Sequence, residues 1–193
     1  MLGLVIGLVI FFAIHLVPSN VSIRDGLIAR FGLTGYKAIF GVISLIGFAL
    51  IVLGFAKLQM HPGTNPVLWD PPLWTRHLAV GLMLPAIIAL VAAYVPSRIH
   101  TALKHPMLVA IKIWALAHLL ANGDLAALVL FGSFLAFAVY DRISVKRRHA
   151  LGPLGTKAGP WYNDLIVLGV GTGLYLVILL WAHQFFIGVS PLG

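Results

Sequence analysis

His15, His77, His105, His118 and His183, together with Lys112, are the side chains whose type and placement could do chemistry in this sequence of 193 residues. Each lies in or beside a long apolar run, where an ionisable group is costly to keep and marks a functional position by default. A neutral imidazole is a metal ligand, and a pair of them can hold a haem iron. The rest of the inventory narrows the chemistry. Cysteine is absent, which excludes disulfides, thiolate metal sites and thiolate haem ligation. Glutamate is absent too, and no Asp falls inside an apolar run. A non-haem iron centre that wants a carboxylate beside two histidines therefore lacks its third ligand, and a proton relay lacks its carboxylates. Haem is the cofactor that this inventory suits. His118 follows Trp114 by four residues, so both share one helical face. Its plainer role is a hydrogen bond between helices. His105 precedes Pro106 and reads otherwise as an interfacial residue before a helix-starting proline. Lys112 either snorkels to one side of the membrane or pairs with an anionic group such as a haem propionate.

The elements that must position these residues are membrane helices. Hydrophobic residues make up 61% of the chain, charged ones 9%, and the mean hydropathy is +1.03, far from a soluble domain. Apolar runs cover Leu2–Val17, Tyr36–Ala56, His77–Val95, Pro106–Ala121, Leu125–Tyr140 and Leu165–Phe186. A spanning helix needs about 20 residues, so the first, fourth and fifth runs are short. The expectation is an all-α polytopic transmembrane bundle of about six spans, a single domain over residues 1–193. Ile23, Leu27, Ile28 and Phe31 recur at helical spacing, with Asn20 placed to start and Gly32 to end a short interfacial helix after span one. The formal charge of +8 follows the loops rather than a nucleic-acid footprint. Arg24, Arg30, Lys37, Arg98, Lys104, Arg142, Lys146, Arg147, Arg148 and Lys157 fall on one side, Lys57 and Arg76 on the other. By the positive-inside rule the first, third and fifth loops are cytoplasmic and both termini periplasmic. The first run has no preceding cation and no small-residue cleavage site after it, so a secretory signal is not expected.

The connections carry their own expectations. The segment from His61 to Trp74 holds four prolines and two tryptophans, a stiff cover on the outer headgroups that serves as an interfacial anchor or as a lid. Asn122-Gly123 is expected to end a helix in left-handed geometry, with Asp124 capping the next, so that the fourth and fifth runs form a tight hairpin. Gly3 with Gly7, Ser44 with Gly47 and Gly54, and Gly169 with Gly173 have the spacing that lets helices approach closely, here within one chain.

Two motifs carry a family resemblance. The first is Pro71-Pro72-Leu73-Trp74-Thr75-Arg76-His77-Leu78. The second is His105-Pro106 followed by Lys112-Ile-Trp114-Ala-Leu-Ala-His118-Leu-Leu-Ala-Asn122-Gly123-Asp124, completed by Leu130-Phe131-Gly132-Ser133-Phe134-Leu135. With His15 these resemble the NnrU family of bacterial membrane proteins over nearly the whole chain. The resemblance implies an inner-membrane protein linked to denitrification, with respiratory nitrite or nitric oxide reductase as the partners whose expression or maturation it serves. The family is in turn similar to zeta-carotene isomerase, a membrane enzyme with haem b. That similarity implies His15, His105 and His118 as the matched histidines and His15 with His118 as the axial pair. The charge-based topology sets those two at depths about 15 Å apart at 1.5 Å per residue. By depth alone His77 with His118, or His15 with His105, makes the better pair.

Other functional classes stay open at this point. One is an isomerase-like haem enzyme, although the cysteine associated with that haem has no counterpart here. Another is a methyltransferase using S-adenosylmethionine, which Lys104-His105-Pro106 resembles faintly and the missing glutamates disfavour. A third is a non-enzymatic assembly partner of the reductases.

Overall fold

The computed structural model describes residues 1–150, 152, 154–155 and 158–192, so Lys157 lies outside the described residues. The helices, in chain order, are α1 (Leu2–Leu16), α2 (Val21–Met60), α3 (Leu73–Ala92), α4 (Arg98–Leu103), α5 (Pro106–Ala121), α6 (Leu125–Arg147), α7 (Tyr162–Val177) and α8 (His183–Ile187). Among the described residues no strand forms, and five helical stretches are long and apolar enough to cross a membrane. The protein is thus an all-helical membrane protein. The run expected to start at Leu2 gains a 3₁₀ turn and reaches Ser19, and the fifth extends through its basic end to Arg147. The helix α5, with 16 residues, stays below the usual spanning length of about 17, whereas α1 and α7 reach it through the adjoining 3₁₀ and π-helical turns.

The chain forms two compact units. The first comprises Met1–Leu68 and Asp124–Ser133. Here α1 lies against α2 through glycines. A Cβ on Gly7 would stand 2.6 Å from the Ile51 nitrogen, and one on Gly47 2.8 Å from the Phe11 nitrogen. The close approach is intramolecular, as the spacing of these small residues suggests, and it buries Leu4 and Leu8. Within α2 the side chain of Asn20 accepts from the Ile23 amide at 3.2 Å and starts the helix. Gly32, at φ 72° and ψ 165°, breaks it into limbs 21–31 and 33–60. That conformation is essentially restricted to glycine. The short helix expected after the first span therefore exists, with Ile23 and Phe31 exposed.

The same unit contains a buried polar clasp. Asn65 donates through Nδ2 to Asp124 Oδ1 at 2.8 Å and accepts from the Ala126 amide at 2.9 Å. Asp124 in turn accepts from the Ala127 amide at 2.9 Å. Asp124 is thus a helix cap, as its position predicts, and satisfies one of the four open amides at the start of α6.

The second unit comprises Trp69–Gly123 and Phe134–Gly193. Its centre is α3 packed against α5 and α7. The seam is made of small side chains: Ala79, Ala86, Ala89 and Ala92 from α3, Ala110, Ala115 and Ala117 from α5. On α7 the close contact is made by Gly171, where a Cβ would stand 2.9 Å from Ile88. Gly169 and Gly173, expected to be the packing pair, have nothing within 4 Å. Gly171 lies two residues from each, so the packed face is the opposite one. Asp164 on α7 caps α4, accepting from the Arg98 and Ile99 amides at 2.8 and 3.2 Å.

The end of α5 departs from expectation. Asn122 is extended, at φ −125° and ψ 133°, not left-handed. It caps the helix with its side chain, donating through Nδ2 to the His118 carbonyl at 2.8 Å. Gly123 is required for a different reason: a Cβ there would collide with the Trp69 carbonyl. The Trp69 amide donates to the Gly123 carbonyl at 3.2 Å, so the proline-rich segment is pinned to the end of α5.

Candidate cofactor site

A cavity of about 340 Å³ opens in the second unit where α3, α5 and the α7–α8 region converge. Its polar lining includes Arg76 from the first turn of α3, His118 from the last turn of α5 with Asn122 after it, Tyr175 from α7, His183 from the start of α8, and Ser190. Alanines 79, 117 and 121 leave the space open because they are too short to fill it. Trp114 stands one turn before His118, with ring centroids 5.2 Å apart, and meets Phe134 edge-on at 5.5 Å. The imidazole of His118 is thus braced on one side by aromatic rings.

Hydrogen bonds set the tautomers. Nδ1 of His118 lies 2.8 Å from the Trp114 carbonyl and Nδ1 of His183 lies 2.7 Å from the Val189 carbonyl. A carbonyl oxygen only accepts, so each Nδ1 carries a proton and Nε2 is the nitrogen left to ligate when the ring is neutral. This is the arrangement of a ligating histidine oriented by a backbone acceptor. Two features of the chain bring His183 here. A π-helical segment, Ile178–Ala182, interrupts the α geometry just before it and shifts the register of the face. Gly188, at φ 82°, then ends α8 left-handed and turns Val189–Pro191 back along the cavity.

The other candidates fall elsewhere. His77 is exposed on α3 and does not line the cavity; its neighbour Arg76 does. His15 belongs to the first unit, stacked on Phe11 with centroids 4.0 Å apart and edge-on to Phe40 at 5.0 Å. Its Nδ1 donates to the Phe11 carbonyl at 2.6 Å, so its ring is in the same tautomer as His118. Lys112 is half-buried in α5 and lines neither cavity described here; among the described residues it makes no ion pair. His105 sits at the other end of α5, at the rim of a second cavity that His100, Lys104 and Arg142 also line. Burial holds the pKa of His105 below its ordinary value; Arg142 pushes the same way, Asp141 opposes, and His100 adds to the lowering.

Sequence reasoning named His183 among the candidates without assigning it a partner or role, and Arg76 appeared as a loop cation. Neither a π-helical register shift nor a left-handed turn at Gly188 leaves a readable pattern upstream. Among the described residues no group of three or more His, Cys, Asp or Glu is arranged to hold a metal ion. The available donor set is a pair of imidazoles, which fits a haem better than a bare cation.

No curated protein and no solved structure gives a significant match to the chain. A family model described as NnrU protein matches residues 3–191, nearly the full length, and the chain belongs to the NnrU family.

Proposed function

We propose that this protein is a multi-pass inner-membrane protein that supports denitrification by aiding the expression or maturation of nitrite or nitric oxide reductase, and that it does so through a haem b held at His118. The observation that carries the haem reading is the cavity that His118 and His183 both line, each with Nδ1 bonded to a backbone carbonyl and Nε2 left as the nitrogen that would ligate. Arg76 at the same cavity supplies a cation suited to a propionate, the role Lys112 was weighed for. A haem bound there supplies a one-electron couple, which suits either a sensor or an electron carrier serving a respiratory reductase. The chain's own residues orient the ligands: Trp114 and Val189 fix the imidazole tautomers through their carbonyls. The resemblance to zeta-carotene isomerase would make His15 the second ligand, whereas the cavity lining would offer His183.

Purified protein in detergent tests this directly. A Soret band that His118→Ala removes, and that His61→Ala leaves intact, is the expected result; His61 is exposed and bonded to the Lys57 carbonyl. Loss of the low-spin spectrum in His183→Ala or in His15→Ala identifies the second ligand. A colourless wild-type protein, reconstituted with haem and still colourless, ends the haem reading. His118 then reverts to a structural hydrogen bond worth about 1 kcal/mol, and a non-enzymatic assembly partner becomes the better description.

A further inference from the structure

The cavity at the opposite end of α5 has about 410 Å³ and a lining of another kind. Lys104, Arg142 and Lys146 line it together with His100, His105 and His149, and among the described residues no carboxylate does. Among the described residues none of those three cations has an ion-pair partner, while nearby Asp141 pairs with Arg148 at 3.7 Å. Three cations without an ion-pair partner in one concavity repel each other and are tolerated best with an anion between them. A general positive-inside bias explains cations on this side of the chain but not their convergence on a cavity.

Backbone strain is concentrated at the same place. The only described residues other than glycine with positive φ are Lys104, at 62°, and His149, at 50°, and both line this cavity. Lys104 is the centre of a γ-turn: the His105 amide bonds back to the Leu103 carbonyl at 2.7 Å, with ψ of −46° at Lys104. That turn is rare and strained. A glycine would relieve it, yet a lysine is present, and it lines the same cavity as Arg142. His100 is fixed from behind, buried, with Nδ1 donating to the Ala92 carbonyl at 2.8 Å.

From this geometry we infer that the cavity lined by Lys104, Arg142, Lys146 and the three histidines binds a phosphate group, carried either by a soluble phosphorylated compound or by an anionic phospholipid headgroup. Phosphate matches the lining because it accepts several charge-assisted hydrogen bonds at once, two of them from a single guanidinium. The cavity volume lies within the range of small-molecule sites, about 300–1,000 Å³, so a substituent on the phosphate also fits. Basic pockets between membrane helices suit phospholipid headgroups equally.

The test uses purified full-length protein and two probes. Pyrophosphate represents the soluble source, and cardiolipin in mixed micelles, against phosphatidylcholine, the lipid source. Calorimetry or native mass spectrometry should show saturable binding of one of them at one site per chain, and which probe binds identifies the source. Arg142→Gln and Lys146→Gln should each weaken it about tenfold or more. Lys104→Gly should weaken it likewise while easing the backbone, so loss of binding in that variant does not reflect misfolding. Arg30→Gln removes a cation from α2 and should change nothing. Binding of neither probe, binding that never saturates, or saturable binding that Arg142→Gln and Lys104→Gly leave unchanged overturns the inference. Haem content does not enter any of these readouts.

Discussion

His118 and His105 lie at the two ends of one helix and illustrate how setting decides what an imidazole can do. At His118 the Trp114 carbonyl accepts a hydrogen bond from Nδ1–H and leaves Nε2 as the nitrogen that can ligate. At His105 burial and the Arg142 charge disfavour the protonated form. The sign of the pH dependence follows. The unfolded chain takes up a proton near pH 6.5, the ordinary value, and the folded chain only at lower pH. Stability from the neutral ring is therefore complete above about 6.5 and declines as pH falls toward the lowered folded value. In Arg142→Gln the midpoint of His105, followed by NMR of ring-labelled histidine, should move up toward the ordinary value. A midpoint that stays put would show that Arg142 does not act on this ring.

At the scale of the element, glycines decide which helix faces meet. Gly7 has the backbone of α2 against it, so Gly7→Leu should cost about 2 kcal/mol or more in stability, measured by unfolding in mixed micelles. Gly169→Leu, on a face with nothing within 4 Å, should cost far less. Equal losses would mean that the second face is covered in the folded protein. Gly32→Ala puts a side chain into a glycine-only conformation and should cost about 1–3 kcal/mol without altering α1 against α2. The π-helical segment before His183 has a functional expectation. Deleting Ile178 should restore regular helix, rotate His183 by about 100° away from the cavity, and lower haem content while the protein still inserts.

At the scale of the whole molecule, the distribution of cations sets an orientation. Reporter fusions should place Lys146 in the cytoplasm and Pro62 in the periplasm. Activity of a periplasm-only reporter at Lys146 would reverse it. In the cell, a deletion strain should grow normally in air and poorly with nitrite as electron acceptor. A His118→Ala gene expressed at the normal level should fail to restore that growth. Full rescue would leave a scaffold role, and normal anaerobic growth of the deletion strain would remove the link to denitrification.

The membrane character, the helix at 21–31 with its Asn20 start and Gly32 stop, and the cap at Asp124 were all legible in the sequence. Each depends on local chemistry: apolar length, a side chain three residues from an amide, a residue that tolerates positive φ. Gly7 on α1 and Gly47 and Gly54 on α2 were legible for the same reason, since small-residue spacing within each helix sets a face for close approach. Gly123, the packed face of α7 and the company His118 keeps were decided only in three dimensions. Gly123 answers to the carbonyl of Trp69, far away in sequence, and Gly171 to Ile88. His183 reaches the His118 cavity through a π-helical segment and a left-handed turn that no periodicity announces. The sequence alone determines which groups can ligate or bind an anion. Convergence of His118 with His183, and of Lys104 with Arg142 and Lys146, is a property of tertiary packing, because it joins residues whose separation along the chain carries no spatial information.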